Sequence, residues 1–228
     1  TFPLRAAFDG EPLSLFADLV AAQPTEYAAF IDTGRFAVCS ISPELFFRLD
    51  GEQLSAKPMK GTAARGRTLA EDEARIAELR RSEKNRAENL MIVDMLRNDL
   101  GRVARVGSVT VPRLFEVERY PTLLQMTSTV AARTRASIAE ILASLFPCAS
   151  ITGAPKVRSM EIIRELEPQP RGVYTGAIGF IGPERHARFN VAIRTALIDR
   201  KRRQVTYGVG GGLVWDSDAG SEYQECLL

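Results

Sequence analysis

The sequence predicts an α+β fold of two packed antiparallel β-sheets with surrounding helices. Strand-length apolar segments occur in groups, and pairs of helical segments separate the groups, instead of one helix following each strand. This order argues against a parallel α/β sheet. The chain has 228 residues, of which 45% are hydrophobic, so it can bury one substantial core, with a division into two lobes as the alternative. We therefore expect one domain over 1–228.

The first 101 residues should hold a strand meander followed by a long helical region. Three strands are predicted there, at 27–32, 36–41 and 44–49. Gly34 and Ser42-Pro43 break the apolar pattern between them, which is typical of an antiparallel meander. Thr68-Leu-Ala-Glu71 matches a capping box, so a helical region should begin there and run to Gly101 with a break near Ser82.

The second half should contain five strands and three helices. Ser137-Ile-Ala-Glu140 is a second capping box, and its helix must end before Pro147. Pro155 suits a first helical position and predicts a helix to about Leu166. A last helix should begin near Asp218. The strands are predicted near 108–118, 126–132, 173–181, 188–199 and 204–213.

Charge and composition exclude several classes of protein. Thirty basic and 28 acidic residues leave a net charge of +2, and no long run of one sign suggests nucleic-acid binding. The basic stretch Arg200–Arg203 lies between strand patterns and is interpreted as a hairpin turn, with a phosphate-binding patch as the alternative. The single histidine, His186, is predicted to lie in a polar turn after Gly182 and gives no basis for a hydrolase triad.

The three cysteines and the absence of targeting patterns predict a cytoplasmic protein. Cys39, Cys148 and Cys226 are odd in number and lack metal-ligand spacing, which favours a reducing compartment. The sequence contains neither an apolar run of spanning length nor a signal-peptide pattern. Because the secondary-structure pattern is already under way at Thr1-Phe-Pro-Leu4, we expect the domain to lack its N-terminal part.

Lys60 is the first candidate for chemistry. It lies in Pro58-Met-Lys-Gly-Thr62, where proline, glycine and threonine end an apolar strand and would fix the ammonium near a turn. Glu44 stands upstream in Ser42-Pro-Glu44. A lysine held beside a carboxylate suits nucleophilic or electrophilic catalysis. The alternative is a strand-end lysine in an ordinary ion pair.

Two helical pairs of polar side chains are candidate metal ligands. Asn85 with Glu88, and Glu222 with Glu225, are spaced three residues apart, which places each pair on one helix face. If both helices pointed a carboxylate at one position, they would form a Mg²⁺ site, since that ion takes one or two protein carboxylates. Ordinary exposed glutamates remain the alternative.

The glycine-rich segments favour close approach of a ligand to the backbone. In Gly208-Val-Gly-Gly-Gly212 the third glycine of a dinucleotide-binding motif would fall at Leu213, so that motif is absent. Close contact with a small ligand explains the cluster better. Thr152-Gly-Ala-Pro-Lys156 lacks the Gly-Lys-Ser/Thr of a phosphate loop, although a helix starting at Pro155 offers free N–H groups to an anion.

Together these motifs resemble the chorismate-utilising enzymes over nearly the whole chain. The resemblance rests on segments that occur in that family's order: Ser42-Pro-Glu44, Pro58–Thr62, Glu88–Asp94, Leu96–Arg102, Ser150–Lys156, Arg171–Tyr174 and Gly210–Glu225. It implies a chorismate-binding catalytic domain with an α+β sandwich of two antiparallel sheets, in agreement with the periodicity.

The resemblance also implies roles for individual residues. Glu88 and Glu225 match Mg²⁺-binding glutamates, with Asn85 and Glu222 one turn away, and the ion would hold the ring carboxylate of chorismate. Glu44 matches the general acid that protonates the departing C4 hydroxyl. The remaining positions are expected to bind substrate, with Tyr174 and Arg194 on the enolpyruvyl carboxylate: Thr152, Tyr174, Arg194, Gly208, Gly210 and Gln125.

Within the family, Lys60 resembles the aminodeoxychorismate synthase branch, in which this lysine attacks C2 of the ring and ammonia then adds at C4. Gln125 stands where many relatives carry a histidine associated with pyruvate loss, which weakens the anthranilate synthase interpretation. A glutamine amidotransferase subunit is the implied source of ammonia. The alternatives are anthranilate synthase component I and a catalytically idle chorismate-binding fragment.

Overall fold

The computed structural model describes residues 1–215 and 217–226, without the side chains of Ser221 and Glu225. Within that part, the chain forms two antiparallel β-sheets accompanied by helices, which confirms the predicted fold class. The strands are β1 Phe2–Ala7, β2 Ala29–Asp32, β3 Phe36–Ser40, β4 Leu45–Asp50, β5 Gln53–Lys57, β6 Met59–Ala64, β7 Thr110–Arg119, β8 Leu123–Arg133, β9 Ala177–Gly182, β10 His186–Val191, β11 Thr195–Asp199 and β12 Gln204–Val209. The helices are α1 Pro12–Ala22, α2 Leu69–Arg81, α3 Glu83–Gly101, α4 Ile138–Leu145, α5 Lys156–Leu166 and α6 Ala219–Cys226.

The chain divides into two compact units, each made of separate stretches of sequence. The first unit comprises Thr1–Pro43, Val157–Ile178 and the chain from Val191 onward, and the second comprises Glu44–Lys156 and Gly179–Asn190. No single described helix is both long and apolar enough to cross a membrane. The helical segments Ile138–Ile151 and Lys156–Leu166 have that length and apolarity only when taken together, and a sharp bend separates them.

The first unit is built on a five-stranded sheet in the order β1-β12-β11-β3-β2. Small buried residues on its central strands, such as Ala37 and Ala196, leave room for Phe16 and Leu19 of α1 to pack against the sheet. Phe16 also lies against Phe30 of β2, with 5.5 Å between ring centroids. Apolar burial of this kind stabilises the unit without any directional contact.

The second unit is built on a seven-stranded sheet in the order β6-β8-β5-β4-β10-β9, with β7 also paired to β8. Ile76 and Leu79 of α2 pack on Leu124 and Met126 of β8. The residues of α3 that are buried recur at helical spacing, as the amphipathic pattern requires: Asn89, Ile92, Val93, Leu96, Asp99 and Leu100.

Side-chain caps set the helix boundaries that the sequence predicted. The Thr68 hydroxyl accepts from the Glu71 N–H, and the predicted break between α2 and α3 falls at Ser82, whose hydroxyl accepts from the Asn85 N–H at 3.3 Å. At α4, Ser137 and Glu140 form a complete capping box. Each of these bonds satisfies an N–H that has no partner within its helix.

Several boundaries differ from the sequence prediction. β1 and α1 were not predicted, and the single strand expected at 188–199 is two strands, because the chain turns between Val191 and Thr195 with Arg194 at a φ of 49°. The strand expected at 204–213 ends at Val209, before the glycines. Lys60 does not follow a strand end but lies inside β6, and His186 begins β10 instead of lying in the preceding turn.

Candidate active site

Glu44 is a buried carboxyl group at the start of the second unit. It immediately precedes β4, and its residue is 3% exposed. Burial raises the pKa of Glu44 to about 7, while a hydrogen bond with Ser150 and the positive charge of Lys60 oppose that rise. A carboxyl group with such a pKa is substantially protonated near neutral pH, which is the condition for a general acid. Lys60 thus lies near enough to Glu44 to affect its pKa, while the catalytic roles of the two residues stay predictions.

Ser150 is a site residue that the sequence reasoning missed. It lies in a 3₁₀ turn at Ala149–Ile151, where its Oγ is 3.3 Å from Cys148 Sγ. Burial, followed by the nearby Glu44 charge, raises the pKa of the Cys148 thiol to about 12, so this cysteine is inert as a nucleophile at neutral pH. The available signal was the position of Ser150 at the start of the Ser150–Lys156 motif, but only the fold shows its contact with Glu44.

Thr152 ends the same turn, and its hydroxyl is directed at the turn itself. It donates to the carbonyl oxygens of Cys148 and Ala149, at 3.1 and 3.2 Å. The hydroxyl oxygen retains acceptor capacity, whereas its proton is shared between these carbonyls. A substrate contact by Thr152 remains a prediction.

Lys156 bonds the segment that carries Ser150 and Thr152 to α3. Its ammonium donates to Asp99 Oδ2 and to the Leu145 carbonyl oxygen, both at 3.0 Å. The Ser144 hydroxyl donates to the Asp99 carbonyl oxygen at 2.6 Å. The Asp99 side chain is only 4% exposed, so the ion pair is desolvated and its geometry is fixed. These bonds hold the turn that carries Ser150.

Gln125 lies on β8 with both ends of its amide bonded to the segment that carries Lys60. Nε2 donates to the Gly61 carbonyl oxygen at 2.9 Å, and Oε1 accepts from the Thr62 hydroxyl at 3.0 Å. The predicted role of Gln125 in substrate binding is untested by these contacts.

The four predicted metal ligands fall in different parts of the chain. Asn85 and Glu88 lie on α3, and the ion pair recorded for Glu88 among the described residues is a 4.0 Å contact with Lys84. In the first unit, Glu222 of α6 accepts a hydrogen bond from Ser217 Oγ at 2.5 Å. The side chain of Glu225 lies outside the described residues.

The donor chemistry of this set fits a hard divalent ion. Carboxylate and amide oxygens are ligands that Mg²⁺ accepts, and Glu88 is only partly buried. Among the described residues, which do not include the Glu225 carboxylate, no three His, Cys, Asp or Glu side chains cluster as metal ligands.

Four of the predicted substrate-binding residues lie in the first unit: Tyr174, Arg194, Gly208 and Gly210. A Cβ on Gly208 would lie 2.2 Å from Cγ of Tyr174, so only glycine lets the Tyr174 ring pack on this strand. Burial raises the pKa of Tyr174 to about 12, and burial likewise raises the pKa of Tyr207, an effect that the positive charge of Arg194 opposes. Tyr174 and Gly208 also line a cavity of about 170 Å³. Gly210 lies farther along, against Thr1.

The backbone fixes Arg194 in an uncommon conformation. Its φ of 49° is in the left-handed region, and its carbonyl oxygen accepts from the Ile41 N–H at 3.0 Å. Next to it, the Thr195 hydroxyl donates to Ser40 Oγ at 2.9 Å. Non-glycine residues in this region cost free energy and concentrate at functional sites. The backbone of Arg194 is therefore fixed at a defined point just before β11.

Comparison with known proteins identifies the family. A sequence profile described as chorismate binding enzyme matches residues 1–228. The chain belongs to this family. An aminodeoxychorismate synthase from Streptomyces griseus is 46% identical over 227 residues, which cover 98% of this chain and 31% of that protein. Aminodeoxychorismate synthase component 1 from Escherichia coli K12 is 41% identical over 223 residues, which cover 97% of this chain and 49% of that protein.

Solved structures agree with the family assignment. Anthranilate synthase component I from Streptococcus pneumoniae superposes with a TM-score of 0.90 at 32% identity, covering 99% of this chain and 50% of that one. A putative isochorismate synthase from Bacillus anthracis gives a TM-score of 0.84 at 21% identity over 99% of this chain and 61% of its own, which shows a shared fold. The chain spans half or less of the curated relatives described above.

Proposed function

We propose that the protein containing this chain converts chorismate and ammonia to 4-amino-4-deoxychorismate, in para-aminobenzoate and folate biosynthesis in the cytoplasm. The observation that carries the proposal is the buried Glu44 carboxyl group, with a pKa of about 7 and Lys60 close enough to lower it. Such a pair supplies both an acid and an amine to one substrate. The relatives named aminodeoxychorismate synthase support the same reaction.

The first half of the reaction uses Lys60 and Glu44 together. Lys60 reacts in its neutral form, after its ammonium has released a proton to solvent. The amine forms a bond to C2 of the ring, the ring double bonds shift, and the C4–O bond breaks. Glu44 gives its proton to the departing oxygen, which leaves as water. Because burial raises the pKa of Glu44 to about 7, a substantial fraction of this carboxyl group keeps its proton near neutral pH and can give it to the departing hydroxyl.

The second half returns both residues to their starting states. Ammonia forms a bond to C4, the double bonds shift back, and the C2–N bond to Lys60 breaks with its electrons returning to the amine. The new ammonium group gives its extra proton to the Glu44 carboxylate. The net change replaces the C4 hydroxyl with an amino group and releases water.

The other predicted residues bind and orient the substrate. Arg194 and Tyr174 would hold the enolpyruvyl carboxylate, since a guanidinium matches a carboxylate in a bidentate pair. Glu88 and Glu225, with Asn85 and Glu222 nearby, would hold Mg²⁺. When bound, the ion would neutralise the ring carboxylate and orient it.

Anthranilate synthase component I is the second candidate, because a solved enzyme of that name superposes on nearly the whole chain with a TM-score of 0.90. Both reactions consume chorismate and ammonia, but they place the new amino group on different carbons. Product identity therefore separates them, whereas chorismate binding without turnover would indicate an idle fragment.

The test uses the full-length protein with chorismate, ammonium and Mg²⁺, followed by chromatographic identification of the product. We expect 4-amino-4-deoxychorismate from the wild type and a loss of more than about 10³-fold in its formation from Lys60→Ala, since a covalent route contributes several kcal/mol. Removing a purely electrostatic lysine would cost less, about 10²–10³-fold.

Mass spectrometry distinguishes the two roles of Lys60 directly. Wild-type protein quenched rapidly after mixing with chorismate and Mg²⁺, without ammonia, should carry a covalent adduct on Lys60. Lys57→Ala is the matched control, because Lys57 lies three residues away and pairs with Glu118. Anthranilate as the main product would overturn the proposed reaction, and an unmodified Lys60 in active enzyme would overturn the covalent step.

A further inference from the structure

The segment that carries Lys60 is a β-bulge. In the pairing of β6 with β8, Met59 lies opposite Thr127 and Thr62 lies opposite Gln125, with a register shift between them. Three steps along β6 therefore match two along β8, so β6 contains one extra residue. Gly61 absorbs it with a φ of +86°, a conformation that glycine adopts readily. A bulge changes the direction of the side chains within it, and Lys60 is one of them.

Gln125 bonds to the two residues that follow Lys60. Its Nε2 donates to the Gly61 carbonyl oxygen at 2.9 Å, and its Oε1 accepts from the Thr62 hydroxyl at 3.0 Å. The orientation of the amide is determined, because a carbonyl oxygen can only accept and must face the amide nitrogen. Gln125 is 5% exposed, so water competes little for these bonds.

Helix α3 closes the bulge from another side. A Cβ placed on Gly61 would lie 3.0 Å from Cγ and 3.1 Å from Cβ of Asn85, which is tighter than ordinary contact. The backbone at Gly61 is thus held between the Asn85 side chain and the Gln125 amide. This arrangement leaves the bulge little room to shift while both contacts persist.

We infer that Gln125 is a positioning residue that sets the place of the Lys60 amine by holding the bulge, and that it acts through the Gly61 carbonyl and the Thr62 hydroxyl. The inference deepens the proposed function and rests on it for the catalytic role of Lys60. It differs from the expectation that Gln125 contacts the substrate. A positioning residue changes the rate of the chemical step, whereas a substrate contact changes binding as well.

The kinetic test uses the full-length protein with ammonium as the nitrogen source. Gln125→Met keeps the length of the side chain and removes both bonds, while Thr62→Val removes one bond and Thr62→Ser retains the hydroxyl. We expect Gln125→Met to lower kcat about 10–100-fold with less than about a threefold change in KM for chorismate, since misplacement by 1 Å can cost about 10²-fold. Thr62→Val should lose less, and Thr62→Ser should recover most of that loss.

Thr134→Val is the matched control for loss of two buried hydrogen bonds. The Thr134 hydroxyl donates to the Val103 carbonyl oxygen at 2.5 Å and accepts from the Ala136 N–H at 3.0 Å, beyond the end of β8. If general weakening of the unit explained the kinetic loss, this variant would lose kcat to the same degree. We expect its kcat to stay within about twofold of wild type, as for a change away from the site.

A second readout does not depend on turnover. The charge of Lys60 lowers the pKa of Glu44, which is also faced by the Ser150 hydroxyl and the Cys148 thiol. Displacement of the amine in Gln125→Met should therefore raise the pKa of the Glu44 carboxyl group, measured by carbon NMR of labelled glutamate, while Thr134→Val should leave it unchanged.

The outcomes separate this inference from the proposed function. A raised Glu44 pKa in Gln125→Met supports the positioning role even if the wild type makes another product, in which case the proposed reaction alone fails. An unchanged Glu44 pKa, or a raised KM at constant kcat, would overturn the positioning role while leaving the reaction intact.

Discussion

At Glu44, burial and two neighbouring groups act on one carboxyl group in opposite directions. Burial disfavours the charged form and has the largest effect, whereas the Ser150 hydrogen bond and the Lys60 charge favour it. The result is a pKa of about 7 in the folded protein, against an ordinary value of 4.5. The folded state therefore holds this proton more tightly than the unfolded chain does.

This difference predicts a pH-dependent stability. The stabilisation by protonated Glu44 is complete below pH 4.5. It is lost as the pH rises from 4.5 to about 7, because over this range the unfolded chain has released a proton that the folded protein still binds. Glu44→Gln should remove that dependence. Urea unfolding measures the free energy of unfolding at each pH. Between pH 4.5 and 8 this free energy should fall by about 3 kcal/mol more in the wild type than in the variant, at 1.36 kcal/mol per pKa unit. Parallel pH profiles would mean that Glu44 titrates normally.

At the level of elements, one ion pair joins α3 to the segment between α4 and α5. Lys156 lies at the start of α5, and its ammonium bonds to Asp99 of α3 and to the last residue of α4, Leu145. The segment carries Ser150, so the pair also holds the hydroxyl that contacts Glu44. Removing one member would leave a buried charge without compensation.

We expect Lys156→Met to lower the free energy of unfolding by about 3–5 kcal/mol, because the buried Asp99 side chain loses the partner that compensates its burial. The double variant Asp99→Asn/Lys156→Met should be more stable than Lys156→Met alone, and a double-mutant cycle in urea measures this coupling. Arg158→Met is the control on the same helix: its exposed pair with Glu161 at 2.9 Å should contribute less than about 1 kcal/mol. Equal losses from both substitutions would contradict a special role for the buried pair.

For the whole molecule, two of the cysteines, Cys39 and Cys148, lack the reactive thiolate that a glutaminase nucleophile needs. Burial raises the pKa of Cys39 to about 11 and that of Cys148 to about 12, so both thiols are protonated at neutral pH. His186 lies on β10 at an exposed position, with Nδ1 3.2 Å from Asp50 Oδ1. The proposed source of ammonia is therefore a glutamine amidotransferase that uses other residues.

If a separate amidotransferase supplies the ammonia, substitution of the cysteines in this chain should not selectively lower glutamine-dependent turnover. In the presence of the amidotransferase, the ratio of glutamine-dependent to ammonia-dependent turnover should stay within about twofold of wild type in Cys39→Ala, Cys148→Ala and Cys226→Ala, since no hydrolysis of glutamine passes through these thiols. Cys148→Ala can change both rates through its contact with Ser150, but it should change them together. Selective loss of the glutamine-dependent rate in any variant would place the nucleophile in this chain.

The sequence by itself determined the fold class, the starts of α2, α3 and α4, and the family. Capping at Thr68, Ser82 and Ser137 is decided within a few residues, so those predictions agree with the structure. α1 was missed because its helix is recognised by packing against Ala37 and Cys39, which lie elsewhere in the chain. The turn at Arg194 was missed for the same reason, since the Arg194 carbonyl oxygen accepts from the Ile41 N–H, which follows β3.

Only the tertiary structure decided how the candidate site is arranged. The motifs named Glu44 and Lys60, but the burial that raises the pKa of Glu44 and the hydrogen bond from Ser150 depend on contacts between distant segments. Likewise, Gln125 was identified as a departure from the family pattern, yet its bonds to Gly61 and Thr62 depend on the register of β6 against β8. Residue identity specifies which chemistry is available, whereas burial, register and a bulge determine where each group lies and how strongly it holds its proton.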